Sequence, residues 1–363
     1  MSMRLPGTPN SSIDRLLIVR LSAMGDVLHA QPAVAALRQA FPHATIGWVI
    51  EERWAELLCT LPTARSGPRS PQRPLVDRIH SVNLKPWRRS LHSPQTWEQI
   101  GAALSEIRGV QYQVAVDLQG AARSALIARW SGAPVIYGAL QPRENVASML
   151  YTRQVSTRGE HVVEQCMSLA EAVAGKASAT PSAPLPRDEA ADRECDQRLA
   201  QMKVREFVLL NPGAGWGAKQ WPAVRYASVA ARLAQDGLNS LVNFGPGEEE
   251  LARKVEVASH GVAQPVFCSL TQLIALTRRA KLFIGGDTGP LHLAAALNVP
   301  VVGIYGPTNP VRNGPFGTRS IVLRSPSSIT SHQRHPETEG GLLEITSDQV
   351  VDAARKLLGD LRG

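Results

Sequence analysis

Apolar residues along this chain alternate between short β-branched runs and longer stretches with helical spacing. Residues 15–21 (RLLIVRL) predict a strand and 22–26 (SAMGD) a small-residue turn. A helix follows at 27–40, which Pro32 ends or kinks, because proline removes a backbone donor and crowds the preceding turn. Residues 45–50 (TIGWVI), 114–118 (VAVDL) and 134–137 predict three more strands. Past residue 190 the rhythm restarts. Strands at 207–211, 241–244, 282–285 and 301–305 alternate with helices at 223–236, 248–260, 270–279 and 291–297, and a last helical pattern covers 344–361. Such alternation predicts parallel strands with crossover helices. Two series of it, each opening on a strand and a glycine-containing turn, predict two doubly wound α/β domains facing one cleft.

Two stretches break the rhythm. Residues 61–95 hold six prolines and the cations Arg65, Arg69, Arg73, Arg78, Lys85, Arg88 and Arg89 against one acid, Asp77. They predict a long loop with little regular structure, of the kind that is usually functional or disordered. Residues 175–190 (GKASATPSAPLPRDEA) are rich in Ala, Ser and Pro and predict an interdomain linker, dividing the chain near residue 180.

Composition agrees with this division. A chain of 363 residues accommodates two domains at about 150 residues each. With 44% hydrophobic and 19% charged residues it is globular rather than disordered. No apolar run approaches the roughly 20 residues that span a bilayer, and the N-terminal MSMRLPGTPNSSIDR lacks the apolar core of a secretory signal. Cys59, Cys166, Cys195 and Cys268 are far apart, with no CxxC pair. They read as reduced thiols of a cytoplasmic protein, with no zinc site. The net charge is +8, and residues 1–180 carry 19 cations against 13 acids, so +6 of it lies in the first half. That excess suits an anionic ligand or surface there, or serves solubility alone.

Four segments carry candidate chemistry. In Arg20-Leu-Ser22-Ala-Met-Gly25-Asp26-Val-Leu-His29, a glycine turn leaves a strand and opens a helix. Asp26 either caps that helix or faces the cleft as a general base for a sugar hydroxyl; His29 is on the same helix and can simply pack. In Asn211-Pro-Gly213-Ala-Gly215-Trp-Gly217-Ala-Lys219-Gln-Trp221-Pro222, glycine and lysine are not adjacent and no Ser or Thr follows, so it is no Walker A loop. Backbone N–H groups and Lys219 can still cradle a diphosphate, or the loop is merely flexible. In Gly285-Gly286-Asp287-Thr288-Gly289-Pro290-Leu-His292, a strand meets an Ala-rich helix. Its free N–H groups, with Thr288, suit an anion, while Asp287 orders the turn; the alternative is a capped buried helix. In a fourth segment, Glu248 either partners a helix dipole or holds ribose hydroxyls.

Together these segments resemble glycosyltransferase family 9, the ADP-heptose:lipopolysaccharide heptosyltransferases, over nearly the whole chain. LSAMGDVLHAQP, NPGAGWGAKQWP and GGDTGPLHLAAALNVPVVGIYGPTNP stand in the family's order. The MGDVLH form resembles the heptosyltransferase I branch most, although Ala214, Gly215 and Trp216 replace the hydroxyl residues of that branch's donor loop. The resemblance implies a GT-B fold of two Rossmann-like domains, with acceptor binding in residues 1–180 and nucleotide-sugar binding in 181–343. The closing helix, 344–363, is implied to cross back to the first domain. It implies an inverting, metal-independent transfer of heptose from ADP-heptose to a Kdo sugar of the lipopolysaccharide inner core (Kdo2-lipid A), with no cofactor. Asp26 becomes the base. Lys219, Asp287, Thr288, Gly289 and His292 surround the diphosphate, and Glu248 takes the ribose. On the acceptor side stand Ser22, Gln119 and Arg123 of the DLQGAARS segment, and Arg143; an arginine fork suits an acidic sugar. A monomer at the cytoplasmic face of the inner membrane is expected, peripheral, with the basic stretch 61–95 drawn to anionic lipid and with no nucleic acid bound.

Other readings fit the same motifs. A family 9 transferase could use another nucleotide sugar or a later core acceptor. A sugar-nucleotide 2-epimerase of the same fold would form its product without an acceptor. A non-catalytic nucleotide-binding module would transfer nothing.

Overall fold

The computed structural model describes residues 13–331, 333 and 336–359; most of the N-terminal stretch considered above as a signal lies outside them. The first domain runs β1 (Arg15–Val19), α1 (Met24–Ala40), β2 (Thr45–Glu51), β3 (Arg78–Val82), α2 (Leu84–Arg89), α3 (Pro94–Gly109), β4 (Val114–Asp117), α4 (Ala122–Trp130), β5 (Val135–Ala139), β6 (Arg153–Val155) and α5 (Val162–Ala174). The second runs α6 (Glu189–Gln201), β7 (Phe207–Asn211), α7 (Ala223–Gln235), β8 (Asn239–Phe244), α8 (Glu249–Ala258), β9 (Ala263–Phe267), α9 (Leu270–Arg279), β10 (Leu282–Gly286), α10 (Gly289–Ala296), β11 (Val301–Tyr305), α11 (Pro310–Asn313), β12 (Ser320–Arg324), α12 (Gly340–Glu344) and α13 (Ser347–Gly359).

Each domain holds one six-stranded sheet, ordered β3-β2-β1-β4-β5-β6 and β9-β8-β7-β10-β11-β12. Every paired strand is parallel. The central strands are apolar on both faces because helices cover both. Leu16, Leu17, Ile18 and Val19 of β1, and Leu209 and Leu210 of β7, are fully buried. In each sheet the order reverses beside the first strand, between β1 and β4 and between β7 and β10. Ligands of such sheets bind in the crevice outside the carboxyl ends at that point. This is the GT-B arrangement of two Rossmann-like domains. Among the described residues, no helix is long and apolar enough to cross a membrane.

Three expectations are corrected. First, α1 begins at Met24 and runs through Pro32 without a break. Twelve of its residues are buried, mostly against α5 and α10, so packing outweighs the hydrogen bond that proline forfeits. Second, residues 61–95 are not a structureless loop. They contain β3, paired to β2 from Gly47↔Arg78 to Glu51↔Val82, all of α2 and the start of α3. The guanidinium of Arg73 is buried there and organises the stretch before β3, donating to the carbonyls of Val76 (3.2 Å), Pro68 (2.8 Å) and Ala64. Third, α13 does not cross back to the first domain. Its apolar face (Val350, Val351, Ala353, Ala354, Leu357) packs on α7 and on β10–β12. Arg355 holds Asp236 at 2.8 Å, and just before α13, Ile345 O accepts from Trp221 Nε1 at 3.0 Å. Residues 360–363 lie outside the described residues.

Candidate functional site

The two motif-bearing turns meet face to face. Gly25 lies so close to His292 that a Cβ on it would stand 2.5 Å from the imidazole Cδ2, and a Cβ on Gly289 would stand 2.5 Å from Met24 Sδ. The start of α1 therefore docks on the start of α10 across the cleft. Only glycine at these two positions lets the backbones approach so far.

Asp26 sits in the first turn of α1 and is about one-third exposed. Its Oδ2 accepts from Ala23 N at 3.1 Å, and its Oδ1 meets the guanidinium of Arg20 at 2.8 Å. Capping and a cleft-facing base are thus compatible, because a carboxylate offers about four lone-pair sites. Arg20, at the end of β1, is buried, and it also donates to Leu118 O. Sequence reasoning left Arg20 without a role, since its pairing to Asp26 exists only once the turn folds back.

Across the interface stands a buried charged group. Lys219 Nζ contacts Asp287 Oδ2 at 2.6 Å, and Asp287 Oδ1 contacts His292 Nε2 at 3.0 Å. Burial pushes the Asp287 carboxyl up, but His292 and Lys219 outweigh it and hold it well below the usual carboxylate range. Lys219 also lies 4.4 Å from the centre of the Trp216 ring, a cation–π contact the sequence did not announce. Asn211, at the end of β7, ties the donor loop to the α10 turn. Its amide donates to Gly213 O at 3.1 Å and to Thr288 Oγ1 at 3.5 Å. Thr288 is the N-cap residue of α10, and its hydroxyl makes no cap bond to that helix. Glu248 precedes α8 and reaches into the same place: a Cβ on Gly213 would stand 2.2 Å from Glu248 Oε1. The expected donor residues Lys219, Glu248, Asp287, Thr288, Gly289 and His292 are therefore gathered at the β7/β10 crevice.

The acceptor residues divide. Ser22 and Gln119 are buried at the β1/β4 crevice, where Gln119 Oε1 accepts from Leu21 N at 2.8 Å; the Gln119 amide nitrogen is buried without a partner. Asp117 shapes this loop by accepting from Gln119 N (2.8 Å), Gly120 N (3.1 Å), Ser124 (2.8 Å) and Tyr151 (2.7 Å). Burial raises its pKa against those bonds. Arg123 and Arg143 are exposed and make no ion pair among the described residues. The Arg143 backbone abuts Gly120, so its loop adjoins the Gln119 turn, but the structure does not bring the two guanidinium groups to Asp26.

Further contacts close the interface. His161 Nε2 pairs with Gly314 O at 3.1 Å, and Thr271 N donates to Glu56 at 3.2 Å. His29 is buried between His161 and His292.

Comparison with known proteins finds relatives over most of the chain. The family model described as Glycosyltransferase family 9 (heptosyltransferase) matches residues 100–342. Lipopolysaccharide heptosyltransferase 1 of Pseudomonas aeruginosa is 30% identical over 323 residues, covering 86% of this chain and 84% of the relative. Lipopolysaccharide heptosyltransferase 1 of Escherichia coli K12 is 28% identical over 316 residues, covering 86% and 94%. A solved Escherichia coli heptosyltransferase with ADP superposes with a TM-score of 0.77 at 25% identity, covering 94% of this chain and 99% of that one.

Proposed function

The chain belongs to glycosyltransferase family 9, the heptosyltransferases, and from that premise we propose that it transfers L-glycero-D-manno-heptose from ADP-heptose to a Kdo sugar of the lipopolysaccharide inner core. The observation that carries this reading is the contact of Gly25 with His292, which sets the Asp26 turn directly against the Lys219–Asp287–His292 group. A base and a diphosphate site on opposite walls of one cleft suit an in-line displacement.

In the proposed reaction, the acceptor hydroxyl gives its proton to Asp26 as its oxygen attacks the anomeric carbon. The bond from that carbon to the diphosphate breaks, its electron pair leaves with ADP, and the configuration inverts. Negative charge grows on the leaving oxygen. Lys219 and the backbone N–H of Gly289, at the start of α10, stabilise it there. Asp287 would not face the phosphates as a ligand. It holds Lys219 and His292 in place, and the ionised state favoured by those partners suits that task. Glu248 takes the ribose, Arg20 holds Asp26 toward the cleft, and Ser22 and Gln119 line the acceptor side, with Arg123 and Arg143 at its rim. The acceptor is carried on lipid A, so the protein works peripherally at a membrane surface.

The test is ADP release from ADP-L-glycero-β-D-manno-heptose with and without Kdo2-lipid A. Acceptor-dependent release is expected. Release that ignores the acceptor, or none from folded protein with intact donor, would overturn the assignment.

A further inference from the structure

We propose that Trp216 is a positioning residue for Lys219: its ring holds the ammonium group at the donor diphosphate without neutralising it. The inference deepens the reading above and rests on it, because it takes Lys219 as the diphosphate ligand.

Residues 212–218 (PGAGWGA) contain no cation and no hydroxyl group. Recognition of a diphosphate by a charged side chain of this loop therefore falls to Lys219. The backbone that carries it is already fixed. Gly217–Lys219 is a single 3₁₀ turn, in which Lys219 N donates to Trp216 O at 3.1 Å and Gln220 N to Gly217 O at 2.8 Å. The segment before α12 braces this turn. Glu339 N donates to Ala218 O at 3.3 Å and Thr338 Oγ1 to Gln220 O at 3.0 Å, and a Cβ on Gly217 would stand 1.6 Å from Pro336 O. What remains to be fixed is the lysine side chain, whose long stem is among the costliest to order.

Two groups restrict that stem, and they differ in charge. Asp287 Oδ2 meets Nζ at 2.6 Å, and Asp287 O stands 3.4 Å from it. On another side the half-buried Trp216 ring covers Nζ, 4.4 Å from the ring centre. Side chains three residues apart in a 3₁₀ turn eclipse, so the turn itself stacks the indole on the lysine. An ammonium group has three N–H donors. Asp287 occupies one at short range and a second at long range, which leaves one for a phosphate oxygen. The Lys219–Asp287 pair is neutral in sum. A second carboxylate in place of the indole would restrict the stem as well, but it would make the group net negative and repel a diphosphate. An aromatic face attracts the cation through its quadrupole and leaves the charge balance unchanged. The lysine is thus ordered before the donor arrives, and donor binding does not bear the cost of ordering it.

The experiment is calorimetric titration of ADP into the wild type, Trp216→Phe, Trp216→Leu, Lys219→Ala and the double variant Trp216→Leu with Lys219→Ala, with a thermal melt of each. Trp216→Leu keeps apolar bulk but has no aromatic face, and ADP affinity should fall about tenfold. Trp216→Phe keeps a weaker face and should lose about threefold. In the Lys219→Ala background, Trp216→Leu should cost no further affinity, because the ring acts only through the ammonium group. Equal losses for Phe and Leu overturn the proposal, as do losses that track a fall in melting temperature, since either would make Trp216 a packing residue. So does a further tenfold loss from Trp216→Leu in the Lys219→Ala background, which would make the indole a ligand of the nucleotide itself. Unchanged affinity in Trp216→Leu beside a weakened Lys219→Ala sinks the proposal and leaves the diphosphate reading of Lys219 standing. Wild-type affinity in Lys219→Ala removes that reading and the proposal with it.

Discussion

His29 of the first domain meets His292 of the second edge to face, with ring centroids 4.4 Å apart. Through His292 the contact continues to Asp287 and Lys219, so a side chain packed inside α1 reaches the donor loop in three steps. His29 Nε2 and His292 Nδ1 are buried without hydrogen-bond partners, while the contact of His292 Nε2 with Asp287 Oδ1 orients the second ring.

This contact makes the fold sensitive to acid. Burial, then the neighbouring His292 and His161, hold the pKa of His29 well below the ordinary histidine range, while Asp287 opposes them and Arg20 adds to them. Burial likewise lowers His161. Both bind a proton less readily in the folded protein than in the unfolded chain. The stability they contribute is complete above about pH 6.5 and falls as the pH drops below it, by up to about 1.4 kcal/mol per pH unit for each histidine. Melting temperatures across that range should fall less steeply for His29→Phe than for the wild type. Parallel curves would contradict the account.

Asp26→Asn keeps the shape of the carboxylate and its approach to Ala23 N but cannot take a proton. Turnover should fall about 100-fold or more, with donor affinity nearly unchanged, by steady-state kinetics and calorimetric titration of the donor. Near-normal turnover would remove Asp26 as base.

Lys219→Ala should weaken donor binding about tenfold or more, since it deletes a charge-assisted contact to the diphosphate. Asp287→Asn leaves Lys219 unpaired in a site where its side chain is 11% exposed, and should cost about 3 kcal/mol of stability. The two changes share one ion pair, so the double variant should lose less stability than the sum of the singles. Strict additivity in denaturant melts would show that the pair is not coupled.

Gly25→Ala places a methyl group 2.5 Å from the His292 ring. The two turns must separate to accept it. Turnover should fall by about tenfold to 100-fold, while each domain keeps its secondary structure by circular dichroism. Full activity would mean that this close approach is not the working geometry.

Much of this was legible in order along the chain. Strands such as β1 and β7 are buried on both faces, so their β-branched runs stand out from any neighbour. Glycine turns after those strands marked Asp26, Lys219 and Asp287 as candidates. Local pattern misled where distant contacts overrode it. Pro32 sits inside α1 because α5 and α10 bury that helix. The stretch at 61–95 folds because the Arg73 guanidinium meets three carbonyls and β3 has β2 to pair with.

By itself the sequence determined the central strands, many of the helices between them and which turns are candidates for chemistry, since propensity, periodicity and turn residues act over a few neighbours. It could not determine which turns face each other. That Arg20 holds Asp26, that Gly25 admits His292, and that Lys219 and His292 share Asp287 depend on contacts between residues from 5 to 267 positions apart. The approach of Gly25 to His292 exists only after the two domains pack across one cleft, because apolar burial of α1 and α10 against each other, rather than any local preference, brings the two walls together.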